Sequence, residues 1–350
     1  MRTRACVATL LGAGLAALAA GCGVPHPPPD VTRITGAPLR AVLISDLNAA
    51  YGATAYPAEV HHAVRHITTS WRPDLVLVAG DMVAGQSADL PDATVRAMWD
   101  AFDAAVAAPL RAAGIPLVVT MGNHDASAYP AYTRDRALAT AYWRGTPPPS
   151  APLPFVEREH YPLRYTVARG DVFLVAWDAT RQESATDAEL LDWLRRSLAS
   201  PEARRARHRV VLGHLPLYGV AEGRNRPGEV LADGDRLRRQ LEAWGATLYI
   251  SGHHHAYYPG RRGGLELLHA GAVGNGPRQL LGARMPPTRT VSVLDFLPDS
   301  LAVTTYAIGA EAGALERIFL EDLPPVVCGH GGWVGRRDLP AVDTACAASR

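Results

Sequence analysis

Short polar side chains able to bind cations or move protons recur at the ends of apolar runs in this sequence. Residues 41–45 lead into Asp46-Leu47-Asn48, residues 75–79 into Gly80-Asp81, and residues 117–121 into Gly122-Asn123-His124-Asp125. Residues 210–212 lead into Gly213-His214, and residues 247–251 into Gly252-His253-His254-His255. A lone Gly-Asp or Gly-His after a strand is ordinarily a turn. The ordered series points instead to one site, because open α/β sheets bind ligands in the crevice beyond the carboxyl ends of their strands. The glycines let the backbone turn sharply and bring short side chains together. Carboxylate, amide and imidazole donors without thiolate suit Mn, Fe, Zn or Co rather than a cuprous or iron–sulfur site. Such a set can activate water on a metal, with a histidine beside a ligand free to act as general acid.

The apolar runs that carry these residues are nearly continuous, as expected of strands buried on both faces. Helical patterns lie between them at residues 59–71, 93–113, 187–198 and 237–244, with Gly114 a stop signal. Strands alternating with helices argue for an α/β layered fold. Residues 161–167 and 172–177 flank Arg169-Gly170-Asp171 and read as a β-hairpin, and 290–296 with 301–307 as a closing strand pair. Residues 127–159 carry Tyr129, Tyr132, Tyr142, Trp143 and Pro147-Pro148-Pro149, the pattern of an inserted loop with a short helix. It is expected either to cap the site and set substrate size or to decorate the surface. Residues 315–350 are expected as a Gly/Pro-rich tail after a domain spanning 39–314.

Taken in order, the motifs resemble those of the calcineurin-like metallophosphoesterases: D-x-H, GD, GNH[D/E], GH and GHxH. The resemblance runs from about residue 39 to 307 and includes Leu191-Asp192-Trp193-Leu194 on the helix before the Gly-His strand. It implies a four-layer αββα sandwich of two mixed β-sheets and a centre of two divalent or trivalent ions, Mn, Fe or Zn. It implies that Asp46, Asp81 and His255 ligate the first ion, with Asn48 beside them at a ligand position, and that Asp81 bridges to a second held by Asn123, His214 and His253. His124 takes the place of the general acid, and Asp125 of the group that orients and polarises its imidazole. His254 falls at the variable position of GHxH and is expected not to bind metal. Two ions about 3.5–4 Å apart lower the pKa of a bridging water and clamp phosphoryl oxygens, so the implied reaction is hydrolysis of phosphomonoesters or phosphodiesters.

The chain departs from the family at Asn48, where a histidine is usual. An amide oxygen is a harder, neutral and weaker ligand than imidazole. Either Asn48 coordinates, directly or through water, or the first site is weak and the protein is a non-catalytic metal-binding surface lipoprotein. The survival of every other ligand favours the enzyme. Tyr257 and Tyr258, after the GHHH run, and Arg278, in a Gly-rich loop, are candidates to touch substrate. Tyr51 lies either at the pocket mouth or in ordinary packing. His61, His62 and His66 read as a solvated helix face, and His330 as a solvated loop residue.

With 48% hydrophobic and 20% charged residues among 350, the chain can build a sizeable core. Its 35 basic residues against 34 acidic ones give no electrostatic footprint for nucleic acid, so a nuclease is disfavoured. Arg2 and Arg4, the apolar run 5–20 and Ala19-Ala20-Gly21-Cys22 describe an export signal. The last four residues resemble a bacterial lipobox, which would lipidate Cys22; an ordinary cleaved signal is the alternative. Val24-Pro25-His26-Pro27-Pro28-Pro29 follows as a stiff tether within residues 22–38. The expected location is therefore the outer face of a bacterial membrane, attached through the lipid anchor alone, with a small phosphate ester as partner. That location argues against an intracellular cyclic-nucleotide role. In an oxidising compartment Cys328 and Cys346 are expected to pair, closing a loop worth up to about 3 kcal/mol.

Overall fold

The computed structural model describes residues 33–340 and Cys346, apart from residues 275 and 312. The export signal, Cys22 and the tether up to residue 32 lie outside the described residues. Strands follow at Leu39–Ile44 (β1), Leu75–Val78 (β2), Leu117–Val119 (β3), Phe155–Glu157 (β4), Tyr165–Arg169 (β5), Val172–Ala176 (β6), His208–Leu212 (β7) and Leu248–Ser251 (β8). They continue at Tyr258–Arg262 (β9), Leu265–His269 (β10), Thr290–Phe296 (β11), Leu301–Ile308 (β12), Leu315–Ile318 (β13), Val326–Gly329 (β14) and Gly332–Arg336 (β15). Helices occupy Ala58–His66 (α1), Asp92–Phe102 (α2), Ala108–Ala112 (α3), Asn123–Ala126 (α4), Thr133–Trp143 (α5), Ala188–Leu198 (α6), Pro201–Arg205 (α7) and Gly234–Ala243 (α8). A π turn extends α1 through Trp71, and another joins α2 to α3, so the long helical patterns at 59–71 and 93–113 are continuous in space.

One mixed sheet has the order β13-β12-β11-β1-β2-β3 and the other β14-β15-β9-β10-β8-β7-β6-β5-β4. Within the first sheet, β1, β2 and β3 run parallel while β11 pairs antiparallel to β1. Alternation along these strands assigns their faces, since successive side chains point to opposite sides. Val42, Ile44, Val76, Val78, Leu117 and Val119 pack with Val60, Val64, Met98, Trp99 and Phe102 of α1 and α2. Ala41, Leu43, Leu75, Leu77 and Val118 turn instead to the core shared with the second sheet, which also holds Leu190, Leu194, Leu237 and Leu241 of α6 and α8. Each such fully buried aliphatic side chain contributes about 1.5–3 kcal/mol of transfer free energy. The result is two mixed sheets back to back with helices outside, the αββα arrangement expected.

Across β1 and β11, Arg40 donates from Nε and Nη2 to both carboxylate oxygens of Asp295 at 2.7 Å, and both side chains are buried. Removing one partner of such a pair strands the other charge, at about 3–5 kcal/mol. Arg40→Met is therefore expected to lower unfolding stability by about that much, read by denaturant titration; a loss below about 1 kcal/mol would place the pair with weak surface bridges.

Two expectations need correction. Residues 315–350 are not simply a tail: β13 extends the first sheet beside β12, and the β14–β15 hairpin joins the second beside β9. Gly331 at φ 84 permits the hairpin turn, and the buried Val327 and Val334 give it an apolar face. Cys328 on β14 does pair with Cys346, their Cα atoms 5.8 Å apart. The inserted segment carries an eleven-residue helix, α5, whose aromatics enter the core. Tyr142 stacks on Trp99 at 4.8 Å and Trp143 meets Trp99 edge-on at 6.3 Å. Tyr142 and Trp143 thus brace α2 rather than decorate the surface.

Candidate metal centre

Each candidate ligand leaves the carboxyl end of a strand and is tied by its backbone to the next. Asp46 N donates to Gly80 O at 3.0 Å, and Leu47 N to Asp81 O at 2.8 Å. Between the sheet-two loops, Gly252 N donates to His214 O at 3.0 Å. Asp46, Asp81, His253 and His255 all have left-handed backbones, with φ of 51, 54, 64 and 54°. That conformation costs a non-glycine residue about 1–3 kcal/mol and persists only where surrounding structure imposes it. The glycines of the motifs serve close approach: a Cβ on Gly122 would strike the Asp81 carboxylate, and one on Gly252 would strike Ser45 Oγ and Asp46.

Among the described residues two groups of ligand atoms result, Asp46 with Asp81 and His255, and Asp81 with His214 and His253, each within 4.8 Å. Asp81 belongs to both. His255 Nε2 lies 3.2 Å from Asp46 Oδ1, and His214 Nε2 3.4 Å from Asp81 Oδ2. The Asp81 carboxylate is oriented by the amide of His124, which donates to Oδ1 at 2.9 Å. Asp46 is held by Ser45 Oγ at 2.6 Å and the His253 amide. Burial works to raise both carboxyls, but the facing imidazoles outweigh it, holding Asp81 well below the usual carboxylate range and lowering Asp46 as well.

The hydrogen bonds assign the imidazole tautomers, because carbonyl and carboxylate oxygens only accept. His214 Nδ1 donates to Ala79 O at 2.8 Å, which leaves Nε2 facing Asp81. Asn123 donates from Nδ2 to Gln86 Oε1 at 2.6 Å, so its Oδ1 points at the same nitrogen, 2.9 Å away. Carboxylate, amide oxygen and imidazole thus converge as acceptors on one point that requires positive charge. Burial lowers His214, yet Asp81 and Asp46 push it up to about 9, so in the apoprotein a proton meets that requirement. His255 Nδ1 donates to Gly276 O at 2.8 Å and presents Nε2 to Asp46. His253 is reversed: Nε2 faces Glu229 Oε2 at 2.9 Å, and its buried Nδ1 has no hydrogen-bond partner among the described residues. An orphaned imidazole nitrogen beside a convergent acceptor set fits a cation there.

His124 lies at the rim. Its Nδ1 donates to Gly85 O at 3.0 Å, and its Nε2 is 4.0 Å from Asp81 Oδ2. Exposed Tyr51 tilts over the ring at 5.1 Å, which places it at the mouth. Asp125 does not serve as the partner of that imidazole. Its carboxylate folds back to accept from Met82 N, Val83 N and Gly122 N at 2.8–2.9 Å, bracing the loop after Asp81 at the first turn of α4. Burial and the neighbouring Asp81 charge push this carboxyl up to about 7, against the three amides.

Asn48 is buried next to the first group; its amide N donates to Asp81 O at 3.2 Å and its side chain makes no hydrogen bond to a described residue. His254 accepts from Val220 N and donates to Glu229 O, which uses both ring nitrogens and leaves none for a metal. Arg278 donates its backbone N–H to His255 O at 3.1 Å and has no ion-pair partner among the described residues. Tyr257 is a correction: it is 5% exposed and packs in the core between the sheets, because the strand pairing of 258–262 carries the chain away from the site. Tyr258 is buried likewise, donating to Pro324 O. His62 and His66 contact Gly309 O and Gly313 O, remote from the ligands. Gln86, Arg224 and Glu229 were not foreseen; they lie in loops, and nothing in their spacing ties them to the ligands they support.

A family model described as calcineurin-like phosphoesterase matches residues 39–257. No curated protein matches the chain by sequence. Among solved structures, purple acid phosphatase PPD1 from yellow lupin (Lupinus luteus) seeds aligns with a TM-score of 0.57 at 15% identity, covering 80% of this chain and 52% of that one. This chain thus spans about half the length of the lupin protein. GAP50, the anchor in the inner membrane complex of Plasmodium, aligns with a TM-score of 0.50 at 11% identity, over 80% of this chain and 88% of that one. At such identities the likeness shows the fold alone.

Proposed function

We propose, from the premise that this chain belongs to the calcineurin-like phosphoesterase family, that it is an active metal-dependent hydrolase of phosphomonoesters or phosphodiesters. The observation that carries this reading is the pair of ligand groups sharing Asp81. Asp46, Asp81 and His255, with Asn48 beside them, would hold one ion; Asp81, Asn123, His214 and His253 would hold the other. When bound, two such ions supply Lewis-acid activation of water and charge for the phosphoryl oxygens. The chain's own residues do the rest. Asp81 is fixed between the two groups by the His124 amide. With Nδ1 committed to Gly85 O, His124 turns Nε2 inward, where a protonated ring can give its proton to the leaving oxygen. Asn123, locked by Gln86, and the three histidines, each anchored at its other nitrogen, keep the donors preorganised. Arg278, without an ion-pair partner among the described residues and hydrogen-bonded through its backbone to His255, is suited to an anionic group of the substrate.

Placement outside the cytoplasm, with a lipid on Cys22 as the membrane attachment, belongs to the same proposal and rests on residues 2–22. The reading is tested with p-nitrophenyl phosphate and bis-p-nitrophenyl phosphate after loading with manganese. Turnover of at least one ester, abolished by chelation and restored by Mn²⁺, is expected. Metal uptake without turnover of either ester would favour the non-catalytic alternative that Asn48 leaves open.

A further inference from the structure

The loop between β7 and α8 brings a carboxylate to the back of a ligand candidate. Glu229 Oε2 lies 2.9 Å from His253 Nε2. Arg224 Nη1 donates to the same oxygen at 2.6 Å, and Arg226 Nη2 donates to Glu229 Oε1 at 3.0 Å. Arg224 Nη1 is also 3.2 Å from His253 Nε2. Arg224 Nη1 can only donate and makes the longer contact to Nε2, at 3.2 Å; the Glu229 carboxylate, nearer at 2.9 Å, can only accept, so it is the Glu229 contact that places the proton on Nε2. Nδ1 is then an unprotonated lone pair, buried, without a hydrogen-bond partner among the described residues, and grouped with Asp81 and His214.

We propose that Glu229 is a positioning residue for the second metal: it fixes the His253 tautomer and ring plane so that Nδ1, rather than Nε2, is the ligand atom. His214 and His255 have their far nitrogens held by neutral backbone carbonyls. Only His253, among these three, is backed by a charge, which raises the basicity of its free nitrogen. Arg224 and Arg226 hold Glu229 in turn, and so make the loop they share part of the centre. This inference rests on the proposed dinuclear site and assigns a residue that the family motifs do not contain.

The test is manganese binding to the full chain, by equilibrium dialysis with metal analysis, for the wild type, Glu229→Ala and Glu229→Gln. Loss of such a partner typically costs 10–100-fold in metal affinity. Glu229→Ala is expected to weaken one manganese site by about that factor while leaving the other unchanged. Glu229→Gln, whose amide oxygen still accepts from Nε2–H, is expected to fall between. Paired manganese ions give a coupled electron paramagnetic resonance signal, which should fade in Glu229→Ala at metal levels that saturate the wild type. Equal affinity in all three proteins would overturn the role of Glu229 alone. Failure of the wild type to bind any manganese would overturn the metal centre, and this role with it. Thermal melting of the metal-free proteins serves as the control: a variant that melts with the wild type yet binds one manganese poorly supports positioning, and a fall in both sites matched by a fall in melting temperature overturns it.

Discussion

His124→Ala in the manganese-loaded protein is expected to lower kcat on phosphate esters by about 10²–10⁴-fold, the range a positioned general acid contributes, with bound metal unchanged. The geometry separates these two effects. His124 contributes its backbone N–H to Asp81, and alanine keeps that hydrogen bond. Its ring is anchored on Gly85 O and stands at the rim, with Nε2 at 4.0 Å from Asp81, outside both ligand groups. Replacement should therefore remove a proton donor without removing a ligand. The leaving group gives a sharper readout than the rate alone. Phenyl phosphate, which departs as the more basic phenolate, needs the proton more than nitrophenyl phosphate does, so its loss should be the larger. An equal loss on both esters, or a drop in metal content, would assign His124 another role.

Asp81→Asn should have the broader consequence. Its carboxylate is the one group common to both ligand sets, and it balances the charge of His214 in the apoprotein. Asparagine preserves the shape and removes the charge. Metal content is expected to fall below one ion per chain. Lewis-acid stabilisation of the transition state is worth several kcal/mol; a loss of about 4 kcal/mol corresponds to about 10³-fold in rate at 1.36 kcal/mol per decade. A thermodynamic readout accompanies the kinetic one. A ligand that binds only the native state raises stability by mass action. The wild-type melting temperature should thus rise on adding Mn²⁺ and that of Asp81→Asn should not. A full manganese-dependent shift in the variant would contradict the bridging position.

The candidate site was largely legible because its residues follow buried strands. Runs such as 75–79 and 117–121 are apolar on both faces, so their ends are sharp, and Gly80-Asp81 or Gly122-Asn123 marks the turn where a side chain enters the crevice. The supporting residues were not legible for a physical reason. Glu229 stands 24 residues from His253 and Gln86 37 from Asn123, and each lies in a polar loop whose composition equally suits solvent. The family resemblance gives Asp125 the orienting of its neighbour's ring; in the structure the start of α4 turns its carboxylate toward the orphan amides of the helix and loop instead. Strands β13 to β15 are not legible because they are short, with glycines in β14 and β15, and pairing with β12 and β9 supplies what local pattern lacks.

The most direct measurement is metal content and hydrolysis on the same preparation, after reconstitution with manganese or iron and removal of free metal. Between one and two ions per chain are expected, the lower value if Asn48 leaves the first site weak, with hydrolysis of a nitrophenyl phosphate ester rising with occupancy and vanishing on chelation. A protein that retains no metal after reconstitution, or hydrolysis indifferent to chelation, would contradict a metal-dependent phosphoesterase.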